Sequence, residues 1–127
     1  MTDKKIVETK NAPEAVGPYS QAVFSNGFIF LSGQIGIDPK QGAIVEGGVE
    51  VQAVQVFKNI KNVLEKAGTD MSSIVKATVF LKDLTDFTNV NAIYAKNFSK
   101  PFPARSTVEV SNLPLNALIE IEVIAVV

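Results

Sequence analysis

The sequence contains no cysteine and no histidine. Those absences remove cysteine nucleophiles, Ser-His-Asp triads, thiolate zinc sites and histidine-ligated transition metals together. They also remove the usual acid and base of metal-free ribonucleases. Proton transfer near neutral pH must then use a carboxylate, a lysine, a tyrosine, the backbone or water. If the chain is an enzyme, its chemistry is mild. An excess of charge is missing too: 12 Lys and Arg against 13 Asp and Glu leave a net charge of −1, with no basic run longer than Lys4-Lys5. Nothing electrostatic points to a nucleic acid or a membrane surface as partner. No apolar run approaches the roughly 20 residues that span a bilayer. The opening stretch MTDKKIVETK has no apolar h-region, and Asp3 and Glu8 argue against a transit peptide. A cytoplasmic protein is expected.

What remains is an ordinary globular composition, 46% hydrophobic and 20% charged over 127 residues. One domain, residues 1–127, is long enough for a real core. Residues 4–9 fit a short strand. The segment NAPEAVGPYSQ follows, with Pro13, Gly17 and Pro18 marking a stiff, turn-like loop. In QAVFSNGFIFLSG, Asn26-Gly27 is the favoured two-residue turn between strands at 22–24 and 28–31. Further turn chemistry stands at Asp38-Pro39 and Gln41-Gly42.

From about Gly48 to Ala67 the period becomes helical. Ala53, Phe57, Ile60, Leu64 and Ala67 form one apolar stripe, widened by Val56 and Val63. Gln52, Gln55, Lys58, Asn59, Lys61, Asn62, Glu65 and Lys66 fall outside it, and Gly68 suits a left-handed C-cap. The run SSIVKATVFLKD predicts a strand apolar on both faces, Val75, Ala77, Val79 and Leu81 against Ile74 and Phe80. A second helix is predicted over 86–98, with Thr85 as N-cap and Phe87, Val90, Tyr94 and Phe98 as its buried stripe. Asn91 lies on that stripe. An inward amide must be hydrogen-bonded, either as a structural group or as part of a pocket wall.

The last two strands are predicted at about 104–110 and 119–126. In FPARSTVEV, Ala104, Ser106, Val108 and Val110 alternate with Arg105, Thr107 and Glu109. Arg105 then either lies on a solvated sheet face or forms a fixed fork for a small carboxylate. In the final strand Glu120 and Glu122 share a face with Ile124 and Val126. Those carboxylates mark a sheet rim, or one is partly desolvated, as an acid or base requires. The order β-β-β-α-β-α-β-β defines a single α+β domain, a mixed sheet with two helices on it. Two helices cover one face only, while several strands are apolar on both. A homo-oligomer that buries the second face is the economical solution.

The blocks GPYSQAV, LSGQI, IVKATVFLKDL, VNAIY, FPARSTVEV and LIEIEVIAV resemble, in order and spacing, the reactive intermediate deaminases of the Rid (YjgF) family, its RidA branch in particular. The resemblance runs from about Asn11 to Val126. It implies a chorismate-mutase-like fold and a homotrimer with sites between subunits. The implied activity is hydrolysis of 2-imino acids, released by pyridoxal-phosphate dehydratases, to 2-oxo acids and ammonia, with no cofactor and no metal. By resemblance Arg105 binds the substrate carboxylate and Glu120 positions or activates water. Tyr19, Ser32, Gly33, Phe87, Asn91, Thr107 and Pro114 line the implied pocket. Thr107 stands where many relatives carry Cys, and Gly36 in QIG replaces a commoner proline. Two other readings share these residues: a non-catalytic trimeric binder of small 2-oxo or imino carboxylates, and an RNA-directed translation inhibitor or endoribonuclease. The charge balance and the absent histidine argue against the latter.

Overall fold

The computed structural model describes residues 3–127. Strands β1 (Lys5–Val7), β2 (Ala22–Ser25) and β3 (Phe28–Leu31) form a meander, followed by a short hairpin of β4 (Ile37–Asp38) and β5 (Ala43–Ile44). Helix α1 (Val49–Lys66), strand β6 (Ile74–Leu81), helix α2 (Phe87–Lys96), and strands β7 (Ala104–Glu109) and β8 (Ile119–Val126) complete the chain. Six strands make one mixed sheet in the order β1-β2-β3-β8-β6-β7. The β6–β7 pair is parallel and α2 connects it; the other neighbours are antiparallel. The β4–β5 hairpin goes beyond the expected order, and it encloses the predicted Asp38-Pro39 and Gln41-Gly42 turns. Among the described residues no helix is long and apolar enough to cross a membrane.

Local chemistry explains the element ends. Asn26 and Gly27 both take positive φ (53° and 80°), the twist-matched geometry of a two-residue hairpin turn. Past α1, Gly68 takes φ 87°; its N–H donates to the Glu65 carbonyl and the Thr69 N–H to the Leu64 carbonyl. That pair of bonds is a Schellman closure, satisfying carbonyls the helix leaves open. Thr85 does not cap α2. A 3-10 turn, Leu84–Asp86, precedes the helix, and the Asp83 side chain accepts from Thr85 N–H at 2.9 Å. A carboxylate one turn earlier thus takes the capping role, and α2 starts at Phe87 and stops at Lys96.

Two expectations about sidedness are corrected. Gln52 and Asn59, assigned outside the α1 stripe, are buried. Gln52 Oε1 accepts from Leu118 N–H at 2.9 Å; Asn59 Nδ2 donates to the carbonyls of Ile37 (2.9 Å) and Ile35 (3.2 Å). These amides satisfy loop backbone that α1 covers, a need invisible in helical periodicity. In β6 a register shift between Ile74 and Lys76 turns Ile74 into the core beside Ala77, Val79 and Leu81, leaving Val75 outside. The alternation written in the sequence breaks at that bulge.

The core lies between one sheet face and both helices. Ile29, Leu31, Ala77, Val79, Ile119, Ile121, Val123 and Ala125 meet Val56, Phe57, Ile60, Leu64, Val90 and Tyr94. The opposite face carries Ile6, Val23, Phe28, Phe30, Phe80, Val108, Ile124 and Val126, as the strand registers require. Among the described residues no element covers it: Phe28 and Phe30 are 42% and 44% exposed.

Candidate functional site

Arg105 is the only arginine in the sequence. It sits on β7, the outermost strand beyond β6, opposite Ala77. Paired residues of adjacent strands point to the same face. Arg105, Thr107 and Glu109 therefore share the helix side with the buried Ala77, Val79 and Leu81. The sequence left a solvated face and a carboxylate fork both open for Arg105; the register puts this polar set on the helix side and Ala104, Ser106 and Val108 on the uncovered side. Hydropathy misread β7 because an edge strand keeps its helix side partly wet.

Helix α2 reaches that edge and engages the guanidinium. Asn91 Oδ1 accepts from Arg105 Nη1 at 2.7 Å, and Arg105 Cζ stands 4.6 Å from the Tyr94 ring centroid and 5.4 Å from that of Phe87. The inward Asn91 is thus satisfied by the arginine. Among the described residues this is the guanidinium's only hydrogen bond, so most of its donors remain free. Thr107 Oγ1 and Tyr94 Oη are buried nearby, and among the described residues no group bonds either. Burial pushes the Tyr94 phenol up, and the Arg105 charge partly opposes that. Tyr94 was assigned to the core stripe only; its spacing three residues after Asn91 is the signal that could have marked it.

A second cluster lies on the other side of the sheet. Glu120 pairs with Phe80, so it occupies the uncovered face with Glu122. Its carboxyl is half-buried and its pKa is raised, first by desolvation and then by the neighbouring Glu122 carboxylate. Gly33 lies directly against it: a Cβ there would stand 2.7 Å from Glu120 Cδ and closer still to Oε2. Ser32 N–H donates to the Gln21 carbonyl at 2.9 Å, and its hydroxyl donates to the Ser20 carbonyl. The buried Gln21 ties down the approach loop, accepting from Thr9 N–H (2.7 Å) and donating to the Pro13 carbonyl (2.8 Å). Tyr19 is exposed, its Oη accepting from Val16 N–H at 3.3 Å.

The candidate residues thus fall into two groups. Arg105, Phe87, Asn91 and Thr107 gather at the β7 edge on the helix side. Ser32, Gly33 and Glu120 gather on the bare face, with Tyr19 in the loop that Ser32 joins. Pro114 is in neither; it opens an exposed 3-10 turn before β8. Glu120 and Arg105 are separated by strand β6 and by the sheet itself. Within this chain they lie on opposite faces of the sheet.

An α+β sheet carrying this arginine fork and this desolvated glutamate defines a class, and the chain belongs to it: the Rid (YjgF) family, whose model, described as Endoribonuclease L-PSP, matches residues 9–127. Within the family it falls in the RidA branch. It is 48% identical over 123 residues, 97% of this chain and 90% of the relative, to the 2-iminobutanoate/2-iminopropanoate deaminase of Bos taurus. A crystal structure of a Rid-family protein of unknown function from Yersinia pestis superposes with TM-score 0.95 at 55% identity, covering 98% of this chain and 99% of that one. RidA from an Antarctic Psychrobacter gives TM-score 0.93 at 43% identity, over 97% and 99%.

Proposed function

We propose that this chain is a 2-iminobutanoate/2-iminopropanoate deaminase whose site is shared between neighbouring copies in a homotrimer. The observation that carries the reading is the held, outward-facing guanidinium of the sole arginine. A planar fork pairs with both oxygens of a substrate carboxylate and stays charged at every relevant pH. Two features support the shared site: Arg105 and Glu120 lie on opposite faces of one sheet, and the Glu120 face is an apolar surface without cover. Packing that face near the β7 edge of a second copy removes apolar area from water and closes the two half-sites into one cleft. The number three comes from the family.

The chemistry is addition followed by elimination. The fork holds the carboxylate, leaving the C=N carbon open to attack. Water forms a C–O bond while Glu120, ionised, takes its proton; the C=N electron pair moves to nitrogen. The glutamic acid then returns the proton to nitrogen and the C–N bond breaks to release ammonia. As the carbonyl forms, the hydroxyl gives its proton to Glu120, which hands it on to the ammonia. Iminium plus water becomes 2-oxo acid plus ammonium. Holding the water and the acid together is enough for an electrophile that already reacts in water.

Because a carboxylate must be ionised to accept that proton, kcat/KM is expected to fall as pH drops through the raised Glu120 pKa, above the usual 4.5. In Glu120→Gln that limb should vanish along with most activity. The same shift costs folding stability as pH rises, because the native state holds the proton more tightly than the unfolded chain. Glu120→Gln should therefore melt higher than wild type near neutral pH, the gap closing below about pH 4.5. An acid limb that persists in the glutamine variant would assign it elsewhere.

Gly33→Ala is expected to displace the Glu120 carboxylate without unfolding the chain, since the obstructed atoms end a flexible side chain. A displacement of about 1 Å costs on the order of a hundredfold in rate. Wild-type kcat in that variant, with an unchanged melting temperature, would remove Glu120 from the reaction. The function itself is tested by generating 2-aminoacrylate with a serine dehydratase and trapping it with semicarbazide. The protein should cut the trapped fraction and speed release of pyruvate. Binding of 2-oxobutanoate without any turnover would make the chain a binder instead.

A further inference from the structure

Resting on that reading, we propose that Tyr94 is a positioning residue for the reaction. Its ring face, with Phe87 and Asn91 from the same helix, fixes the plane of the Arg105 guanidinium so that the fork faces the substrate. Phe87, Asn91 and Tyr94 stand at i, i+4 and i+7 of α2, one continuous stripe, and each touches the same guanidinium. The Tyr94 ring is the nearer of the two aromatic supports, 4.6 Å against 5.4 Å. It cannot yield easily. The residue is 5% exposed, and its ring packs 4.5 Å from the Phe98 ring and 6.0 Å from that of Phe57.

An arginine on an edge strand otherwise samples many rotamers and would lose that freedom on binding substrate. A ring below and an amide at the side remove most of it beforehand. The supporting element is the ring and not the hydroxyl, because among the described residues no group bonds Tyr94 Oη. Phenylalanine should therefore replace tyrosine, and leucine should not.

With only one arginine in the chain, 15N-arginine labelling gives a single guanidinium signal set. In wild type and Tyr94→Phe, the side-chain protons of Arg105 are expected to show upfield ring-current shifts. In Tyr94→Leu they should move toward free-arginine values. By calorimetry, 2-oxobutanoate affinity should fall about tenfold in Tyr94→Leu and stay within about twofold in Tyr94→Phe. Turnover should show a raised KM with kcat nearly intact. Should leucine disturb the core, Phe87→Leu provides a second reading, with the same direction and about a threefold effect. An unchanged Arg105 spectrum and affinity in both leucine variants, or equal loss in Tyr94→Phe and Tyr94→Leu, overturns the inference. A wild-type protein with shifted Arg105 signals but no 2-oxobutanoate binding and no turnover would instead overturn the deaminase reading, and with it any role of Tyr94 in that reaction.

Discussion

Arg105→Ala is expected to lower kcat/KM for 2-imino acids by at least about a hundredfold, with fold and assembly intact. Truncating one partner of a desolvated charge pair costs about 2–5 kcal/mol, which corresponds to roughly 30- to 5,000-fold. The upper part of that range applies if the second copy closes the cleft and excludes water around the carboxylate. The fold should survive because Arg105 is exposed on an edge strand and its partners, Asn91, Phe87 and Tyr94, are held by α2. Arg105→Lys should recover only part of the loss. An ammonium restores the charge, but not the two parallel donors or the flat surface that lies over Tyr94. Steady-state kinetics with the dehydratase-coupled assay, beside a melting curve and sedimentation, separates the cases. Full activity in the alanine variant would end the carboxylate-fork assignment.

Mixing two inactive variants should restore activity, and the amount is set by geometry. Suppose Arg105→Ala and Glu120→Gln chains are unfolded together and reassembled at equal concentration. If each site takes its arginine from one copy and its glutamate from the next, a site works only when the glutamine variant supplies the first and the alanine variant the second. In random closed rings that occurs in about a quarter of sites, giving about a quarter of wild-type activity. If both groups came from one chain, every site would carry one lesion and no activity would return. The argument rests on the sheet: β6 lies between the two strands, and the side chains leave opposite faces. Neighbouring strands are only about 5 Å apart, but opposite faces keep the charged ends diverging. Recovery near zero, with mixed rings verified by mass, would place the whole site within one protomer.

Much of the local structure was legible beforehand. The α1 stripe, the Asn26-Gly27 turn and the Gly68 closure depend on residues near one another in the chain, where period and propensity act directly. What escaped was sidedness. Gln52 and Asn59 looked like solvent-facing amides, yet they satisfy backbone from Leu118 and from Ile35 and Ile37, far away in sequence. A single bulge exchanged Ile74 and Val75. Tyr94 looked like core alone because nothing in its own neighbourhood announces an arginine eleven positions later.

By itself, the sequence determined the kind of chemistry available: with neither histidine nor cysteine, acid–base work is left to a carboxylate, a lysine, a tyrosine, the backbone or water, and a lone arginine offers the only rigid anion fork. It also determined the main strands and both helices, whose signals are short-range, though not the β4–β5 hairpin. Only the tertiary structure decided that Arg105 leaves the helix side of the sheet and Glu120 the bare side. Face depends on register between strands distant in the chain, and a slip of one residue would exchange every side chain between the two surfaces.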